Sequence, residues 1–167
     1  MKYKNRKSTR LKIFDYNSTG AYFITICTKE RKNYFWTEVG APIGRPYDFE
    51  LSSYGLTVKQ AINNIDKIYS LINVDDYIIM PDHIHLLLII PNDPNGRPMA
   101  APTISQVVNQ LKGYISKQIG EPIWQKNFYD HIIRDEKDYE FHIKYIRENP
   151  LKWYINGENH DDIMLYE

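Results

Sequence analysis

The hydrophobic and polar positions of the chain follow strand-like and helix-like periods in turn. Runs of β-branched and aromatic residues predict four strands, at 21–28, 74–80, 83–90 and 128–134. Helical spacing predicts helices over 53–69, about 103–119, and 135 to about 148, where Asp135 is the cap and Pro150 the stop. The order β-α-β-β-α-β-α predicts an α+β fold, a ferredoxin-like split βαβ sandwich with a central antiparallel sheet and an extra C-terminal helix.

Details of the pattern sharpen this prediction. Pro81 and Asp82 form a tight corner, so the second and third strands should make a hairpin. The run 86–90 is apolar at every position, which is typical of a central strand covered on both faces. Two of the predicted helices show an apolar stripe. The stripe of the helix at 53–69 is Leu56, Ala61, Ile62, Ile65 and Ile68, and that of the helix at 103–119 is Ile104, Val107, Val108, Leu111 and Ile115. Thr103 or Ser105 is the predicted cap of the second of these helices.

Length and composition favour one globular domain spanning residues 1–167. Segment 1–15 is a basic arm, and Pro/Gly-rich insertions form loops at 40–52 and 91–102. The longest apolar run, 86–90, is too short to cross a bilayer, and no signal peptide is visible, so we expect a cytoplasmic protein without a membrane partner. The single cysteine, Cys27, excludes an internal disulfide and is expected to be a small core residue.

The formal net charge is zero, so overall charge does not indicate a nucleic-acid partner. The basic arm can reach along phosphates, although a solvated terminus is the simpler interpretation.

His83-Ile84-His85 is the sharpest local signal for chemistry. Alternate residues of a strand share a face, so the two imidazoles should stand side by side with their Cα atoms roughly 6–7 Å apart, within reach of one cation. On a helix the same spacing would splay them apart. From the pattern alone, two ordinary polar residues at the start of a strand remain an alternative.

The last predicted helix carries two sets of residues at helical spacing. Its apolar stripe is Tyr139, Ile143 and Ile146, and its polar face is His142, Tyr145 and Asn149. If this helix lies over the histidines, Asn149 supplies an oxygen ligand one turn from Tyr145. Two imidazoles and an amide oxygen leave positions for phosphate oxygens and water, a mixed site that suits Mg²⁺ or Mn²⁺. A half-exposed tyrosine with solvated neighbours is the alternative.

Three segments carry a resemblance to a known family: 77–85 (YIIMPDHIH), 123–134 (IWQKNFYDHIIR) and 138–150 (DYEFHIKYIRENP). In order and spacing they resemble the repeat-associated tyrosine transposases, relatives of the small single-strand insertion-sequence transposases, over roughly residues 20–153. The HxH pair is a weak motif alone. Together with the W-Q-x-x-F/Y strand and the Y-I-x-x-N-P helix end, it is highly specific.

The resemblance implies an HUH endonuclease fold in which His83 and His85 are metal ligands, Asn149 is the third ligand and Tyr145 is the nucleophile. It implies an enzyme, a transposase that nicks and rejoins single-stranded DNA with Mg²⁺ or Mn²⁺. The chemistry would pass through a covalent 5′-phosphotyrosine at hairpin or palindromic repeat DNA. The partner would be single-stranded or hairpin DNA, and the protein a monomer or a homodimer.

Several other side chains are candidates for DNA contact. Basic residues that could bind phosphates are Lys112, Lys126, Arg134, Lys144 and Arg147. Aromatic residues that could stack on bases, at ~1–3 kcal/mol each, or build the core instead, are Trp124, Phe128, Tyr129 and Phe141. His142 is a candidate helper for proton transfer from the tyrosine, although a surface histidine is the simpler expectation.

Three alternatives remain open. The same fold could bind single-stranded or hairpin DNA without cutting it, as a module derived from a transposase. An HUH initiator of plasmid replication or transfer would use the same chemistry, but such proteins usually carry a further domain for which this chain has no room. A metal hydrolase unrelated to DNA is disfavoured, because no acidic cluster surrounds His83 and His85.

Overall fold

The structure, a computed structural model, describes residues 20–37, 50–92 and 101–156. Its strands are β1 (Gly20–Cys27), β2 (Asn73–Ile79), β3 (His83–Ile90) and β4 (Tyr129–Ile132). Its helices are α1 (Ser53–Ile62), α2 (Ile65–Ile68), α3 (Ile104–Ile119) and α4 (Glu136–Asn156), with a 3-10 turn at Lys29–Arg31. The predicted basic arm and most of the two predicted loop insertions lie outside the described residues.

The four strands form one antiparallel sheet in the order β2-β3-β1-β4. This order, with α1 and α3 as the two crossovers, is that of the ferredoxin-like split βαβ sandwich, so the predicted fold class is confirmed. β2 and β3 form the predicted hairpin, and β3 lies inside the sheet as its sequence indicated.

Side chains of β1 and β3 alternate between two separate cores. One face packs in the large core with α1 and α3, and its strand residues are Tyr22, Ile24, Ile26, Ile84, Leu86, Leu88 and Ile90. The opposite face forms a small cluster under α4, made of Phe23, Leu87, Tyr145 and Ile146. Because His83, His85 and Leu87 share a strand face, the two histidines point toward α4 and away from the large core.

The predicted single helix over 53–69 is wrong, because α1 ends at Ile62 and α2 begins at Ile65. Asn63 and Asn64 lie at the break, and asparagine favours caps and turns over helix interiors. Leu56 and Ile68 are 56% and 66% exposed, so they do not belong to the buried stripe. That stripe consists of Gly55, Val58, Ala61, Ile62 and Ile65.

Helix starts are specified by short polar side chains. The Ser52 hydroxyl accepts from the Gly55 backbone N–H at 3.1 Å, and a Cβ at Gly55 would lie 2.3 Å from the Phe35 carbonyl oxygen. That close approach explains the glycine. At α3, Thr103 and Gln106 form a capping box, so Thr103 is the predicted cap that the structure uses.

The C-terminal helix starts where the sequence predicted but ends later. The Asp135 carboxylate accepts from the Asp138 backbone N–H at 2.9 Å, as an N-cap should. β4 is shorter than the predicted strand 128–134, and Phe128 is buried in the large core. No described helix, α4 with its 21 residues included, is long and apolar enough to cross a membrane.

The prediction that Pro150 stops the last helix is wrong, because α4 continues through it to Asn156. A proline inside a helix costs about 3 kcal/mol relative to alanine. Beyond the proline, the last turns of α4 pack on the rest of the protein: the Trp153 ring lies 6.0 Å from the His83 ring and 6.4 Å from the Trp36 ring. Packing over the sheet therefore outweighs the local preference.

Cys27 ends β1 and is 3% exposed, which confirms it as a core residue. Burial raises the pKa of its thiol, although the nearby Arg31 guanidinium, which donates to Sγ at 2.8 Å, opposes that effect.

Candidate metal and tyrosine site

The two histidines of the HxH pair lie side by side on β3 with their Nε2 atoms 3.1 Å apart. His83 is 3% and His85 1% exposed. Two nitrogen ligands of one ion, each at about 2.1 Å and at right angles, lie about 3.0 Å from one another. The spacing of the two Nε2 atoms therefore fits a shared cation.

The other ring nitrogen of each histidine is held by a neighbour. Nδ1 of His83 lies 2.5 Å from the Asp82 carboxylate, which also pairs with the Arg31 guanidinium at 2.7 Å. Nδ1 of His85 lies 2.8 Å from the Thr25 hydroxyl, its partner across the strands. Such second contacts fix the ring orientation of metal-binding histidines and leave Nε2 for the ion.

Burial lowers the pKa of His85 well below its ordinary value, and the nearby His83 and Arg31 act in the same direction. The imidazole of His85 is therefore neutral at pH 7, which is the form that binds a metal ion.

Helix α4 covers the HxH pair with three residues that lie about one turn apart on one face: Tyr145, Asn149 and Trp153. The Tyr145 ring packs edge-on against the His85 ring at 5.1 Å between centroids, and Trp153 lies against His83 at the other end. Asn149 is between them, 3% exposed, and its amide nitrogen has no hydrogen-bond partner among the described residues. A metal ligand at this position would use the amide oxygen, so the role of Asn149 as the third ligand stays a prediction.

Tyr145 and His142 are both buried, at 4% and 1% exposed. The simpler expectations, a half-exposed tyrosine and a surface histidine, are therefore wrong. The Phe23 ring lies between the His85 and His142 rings, with centroid distances of 5.0 and 4.6 Å. It also contacts the Tyr145 ring at 5.9 Å. This packing explains why the polar face of α4 is enclosed and not solvated.

A second group, His131 of β4 with Asp138 and His142 of α4, also has the composition of a divalent-cation site. Its potential ligand atoms all lie within 4.8 Å of one another. Within residues 20–37, 50–92 and 101–156, the HxH pair and this second group therefore lie on either side of Phe23.

The basic residues predicted to contact DNA have varied surroundings. Lys112 is half-buried and donates to the backbone carbonyls of Gln125 and Lys126, at 2.7 and 3.0 Å, so its ammonium ties α3 to the following segment. Lys144 and Arg147 are largely exposed, and each faces a carboxylate, at 3.6 and 3.7 Å. Lys126 and Arg134 are exposed. Their contact with DNA stays a prediction.

The aromatic residues predicted to stack on bases are partly core residues and partly exposed. Phe128 is buried in the large core, and Trp124 packs partly against it. Tyr129 and Phe141 are 45% and 50% exposed, so their rings are accessible for base stacking.

Sequence reasoning missed the residues that support the histidines. Asp82 was assigned only to a corner, although its place next to an HxH pair was a usable signal. Thr25 and Phe23 gave no signal, because their contacts depend on the register of β1 against β3. Trp153 was missed because the helix was expected to stop at Pro150.

Comparison with known proteins identifies the family, although no protein-family model matches the chain. An uncharacterised Haemophilus influenzae protein is 32% identical over 168 residues, covering 89% of this chain and 90% of that protein. A second Haemophilus influenzae protein, whose name assigns it to the REP-associated tyrosine transposases, is 30% identical over 146 residues, covering 83% and 74%. The chain belongs to the REP-associated tyrosine transposase family.

The fold agrees with this assignment. The solved structure of a REP-associated tyrosine transposase bound to a REP hairpin superimposes with a TM-score of 0.60 at 21% identity, covering 86% of this chain and 74% of that one. The named relative confirms the predicted family, and the structural match confirms the predicted fold.

Proposed function

We propose that the protein nicks and rejoins single-stranded DNA at hairpin or palindromic repeat sequences, with Tyr145 as the nucleophile. The observation that carries the proposal is the contact between the Tyr145 ring and His85, one member of a buried imidazole pair. The membership of a family of tyrosine transposases and the hairpin bound by its solved relative support the choice of substrate.

His83, His85 and Asn149 would hold the metal ion, and Asp82 and Thr25 would orient the two imidazoles. A bound Mg²⁺ or Mn²⁺ would neutralise charge on the phosphate oxygens and align the ester for in-line attack. The donor set has no thiolate, and its two nitrogens and one amide oxygen leave room for phosphate and water ligands.

In the proposed step, the phenol oxygen of Tyr145 forms a bond to phosphorus and the bond from phosphorus to the 3′ oxygen breaks. The phenol proton is replaced by phosphorus, and the departing 3′ oxygen gains a proton, so atoms and charge balance. The 5′ phosphate stays on the tyrosine as an ester, and a DNA 3′-hydroxyl can reverse the step to join a strand.

A covalent-adduct assay tests this proposal. Protein is mixed with labelled single-stranded hairpin DNA from the flanks of its own gene and Mn²⁺, and denatured complexes are separated by electrophoresis. We expect an adduct that is abolished by EDTA and by Tyr145→Phe. Tyr114→Phe, which removes the same hydroxyl from an exposed tyrosine, is the matched control and should react normally.

Each other outcome has a clear meaning. An adduct that persists in Tyr145→Phe would move the nucleophile to another residue, and cleavage in EDTA would reject the metal model. Hairpin binding by the wild type without any adduct would favour the alternative function, a non-cleaving DNA-binding module derived from a transposase.

A further inference from the structure

We propose that His131, Asp138 and His142 form a second cation site, separate from the HxH pair, that takes a late first-row divalent cation such as Zn²⁺. Nε2 of His131 lies 3.0 and 2.9 Å from the two carboxylate oxygens of Asp138. Nδ1 of His142 lies 3.1 Å from Oδ1 of the same carboxylate. Neighbouring ligand atoms around a single ion are separated by about 3.0–3.4 Å, given metal–ligand bonds of about 2.1 Å.

The donor set indicates the class of ion. Two imidazoles and one carboxylate make a site of borderline softness, which binds Zn²⁺, Co²⁺ or Ni²⁺ in preference to Mg²⁺. The His142 side chain is 1% exposed, whereas those of His131 and Asp138 are 26% and 20% exposed. One side of the cluster therefore opens to solvent, where water can complete the coordination shell.

The charge states also suit a cation. Burial raises the pKa of the Asp138 carboxyl, but hydrogen bonds from His131 and from the Arg134 backbone N–H outweigh this, and the pKa is lowered. Burial lowers the pKa of His142. At pH 7 the cluster therefore offers an ionised carboxylate and a neutral buried imidazole, the forms that bind metal.

The two clusters are distinct because they share no ligand and the Phe23 ring stands between His85 and His142. The second cluster joins the edge strand β4 to the first two turns of α4, the helix that carries Tyr145. An ion held there would fasten the start of this helix to the sheet.

The same residues also make hydrogen bonds to one another without an ion, and binding an ion would require some of these hydrogen bonds to break. Nδ1 of His142 lies 2.7 Å from the Asp138 backbone carbonyl oxygen, so coordination through Nδ1 would exchange that hydrogen bond for a metal bond. The competing interpretation is a purely structural network at the start of α4. Direct counting of bound ions separates the two.

The test uses the full chain in a background that lacks the other histidines. The sequence has five histidines, so His83→Ala, His85→Ala and His160→Ala together leave only His131 and His142. Zn²⁺ is titrated by calorimetry, and the melting temperature is followed with and without the ion. We expect one equivalent of Zn²⁺ to bind and to raise the melting temperature, since an ion bound only by the native state stabilises it.

Two further variants in the same background identify the ligands. Asp138→Asn and His131→Gln should each lose the saturable equivalent, whereas Glu140→Gln, which removes a charge from a neighbouring exposed residue of α4, should keep it. Cooperative melting without metal shows that each variant is folded. A background protein that binds no equivalent, or an Asp138→Asn protein that still binds one, would overturn the proposal. No DNA is present, so the result is independent of the cleavage reaction.

Discussion

The Thr25 hydroxyl, 2.8 Å from Nδ1 of His85, serves an imidazole in either tautomer. A hydroxyl can donate to Nδ1 or accept from it. With an ion on Nε2, the Nδ1–H group would donate to Thr25, whereas without one the two Nε2 atoms can share a proton. The hydroxyl therefore allows His85 to change tautomer without losing its buried partner.

Thr25→Val should weaken Mn²⁺ binding by about 10–100-fold, the usual effect of removing a partner of a metal-binding histidine. Thr25→Ser keeps the hydroxyl and should bind Mn²⁺ nearly as the wild type does. Titration of both variants in a His131→Gln background reports on the HxH site alone. Equal affinities for the valine and serine variants would remove Thr25 from the support of His85.

At this scale the sequence was informative wherever a contact follows from local geometry. The shared face of His83 and His85 could be predicted because they are two residues apart in a strand. The part played by Thr25 could not, because it lies opposite His85 only in the observed pairing of β1 with β3. Asn149 and Tyr145 were predicted to share a helix face, but their burial, to 3% and 4% exposed, was not predicted.

Among the elements, α4 shows how tertiary contacts override local preference. Its start, capped by Asp135, agrees with the sequence, whereas its end does not, because packing across the sheet carries the helix through Pro150. The same helix is fastened to β2 by a hydrogen bond from the Tyr139 hydroxyl to the Asp75 carboxylate.

That hydrogen bond predicts a pH-dependent contribution to stability. The bond to Asp75, with partial burial and nearby acidic charge, raises the pKa of Tyr139 to about 12. A raised pKa means that the stabilisation is fully present below the ordinary pKa of about 10 and is lost as the pH rises toward the folded-state value. Tyr139→Phe should lower the free energy of unfolding by about 1 kcal/mol at pH 7.

Denaturant unfolding of wild type and Tyr139→Phe at pH 7, 10 and 11 measures this difference. It should shrink at the higher pH values, because the unfolded tyrosine ionises above pH 10 while the folded one, whose pKa is raised to about 12, keeps its proton. A difference that stays constant from pH 7 to pH 11 would contradict the assigned hydrogen bond.

For the molecule as a whole, the central strand β3 separates the large core from the small cluster that contains Tyr145. Leu88 packs in the large core and Leu87 in the small cluster with Tyr145 and Ile146, and both leucines are fully buried. The order of elements and the apolar run were enough to predict this covered central strand. Which helix covers which face required the three-dimensional structure, since an extra helix can pack in several places.

Leu87→Ala and Leu88→Ala should each destabilise the protein by about 2–5 kcal/mol through cavity formation. Only Leu87→Ala should also reduce the yield of covalent adduct per folded molecule, because it loosens the seat of Tyr145. Denaturant melts give the stabilities, and adduct assays are run where both variants are folded. Equal adduct yields would show that the two faces are not functionally distinct.

Cys27 is the one cysteine in 167 residues, and its sulfur is buried beside the Arg31 guanidinium. Reaction with a thiol reagent requires an accessible thiolate, and burial disfavours both access and ionisation. A cysteine introduced at the exposed Glu140 of α4 would therefore be the reactive one. A single dye or spin label could be attached there, and the motion of the tyrosine helix followed in solution without removing the native sulfur.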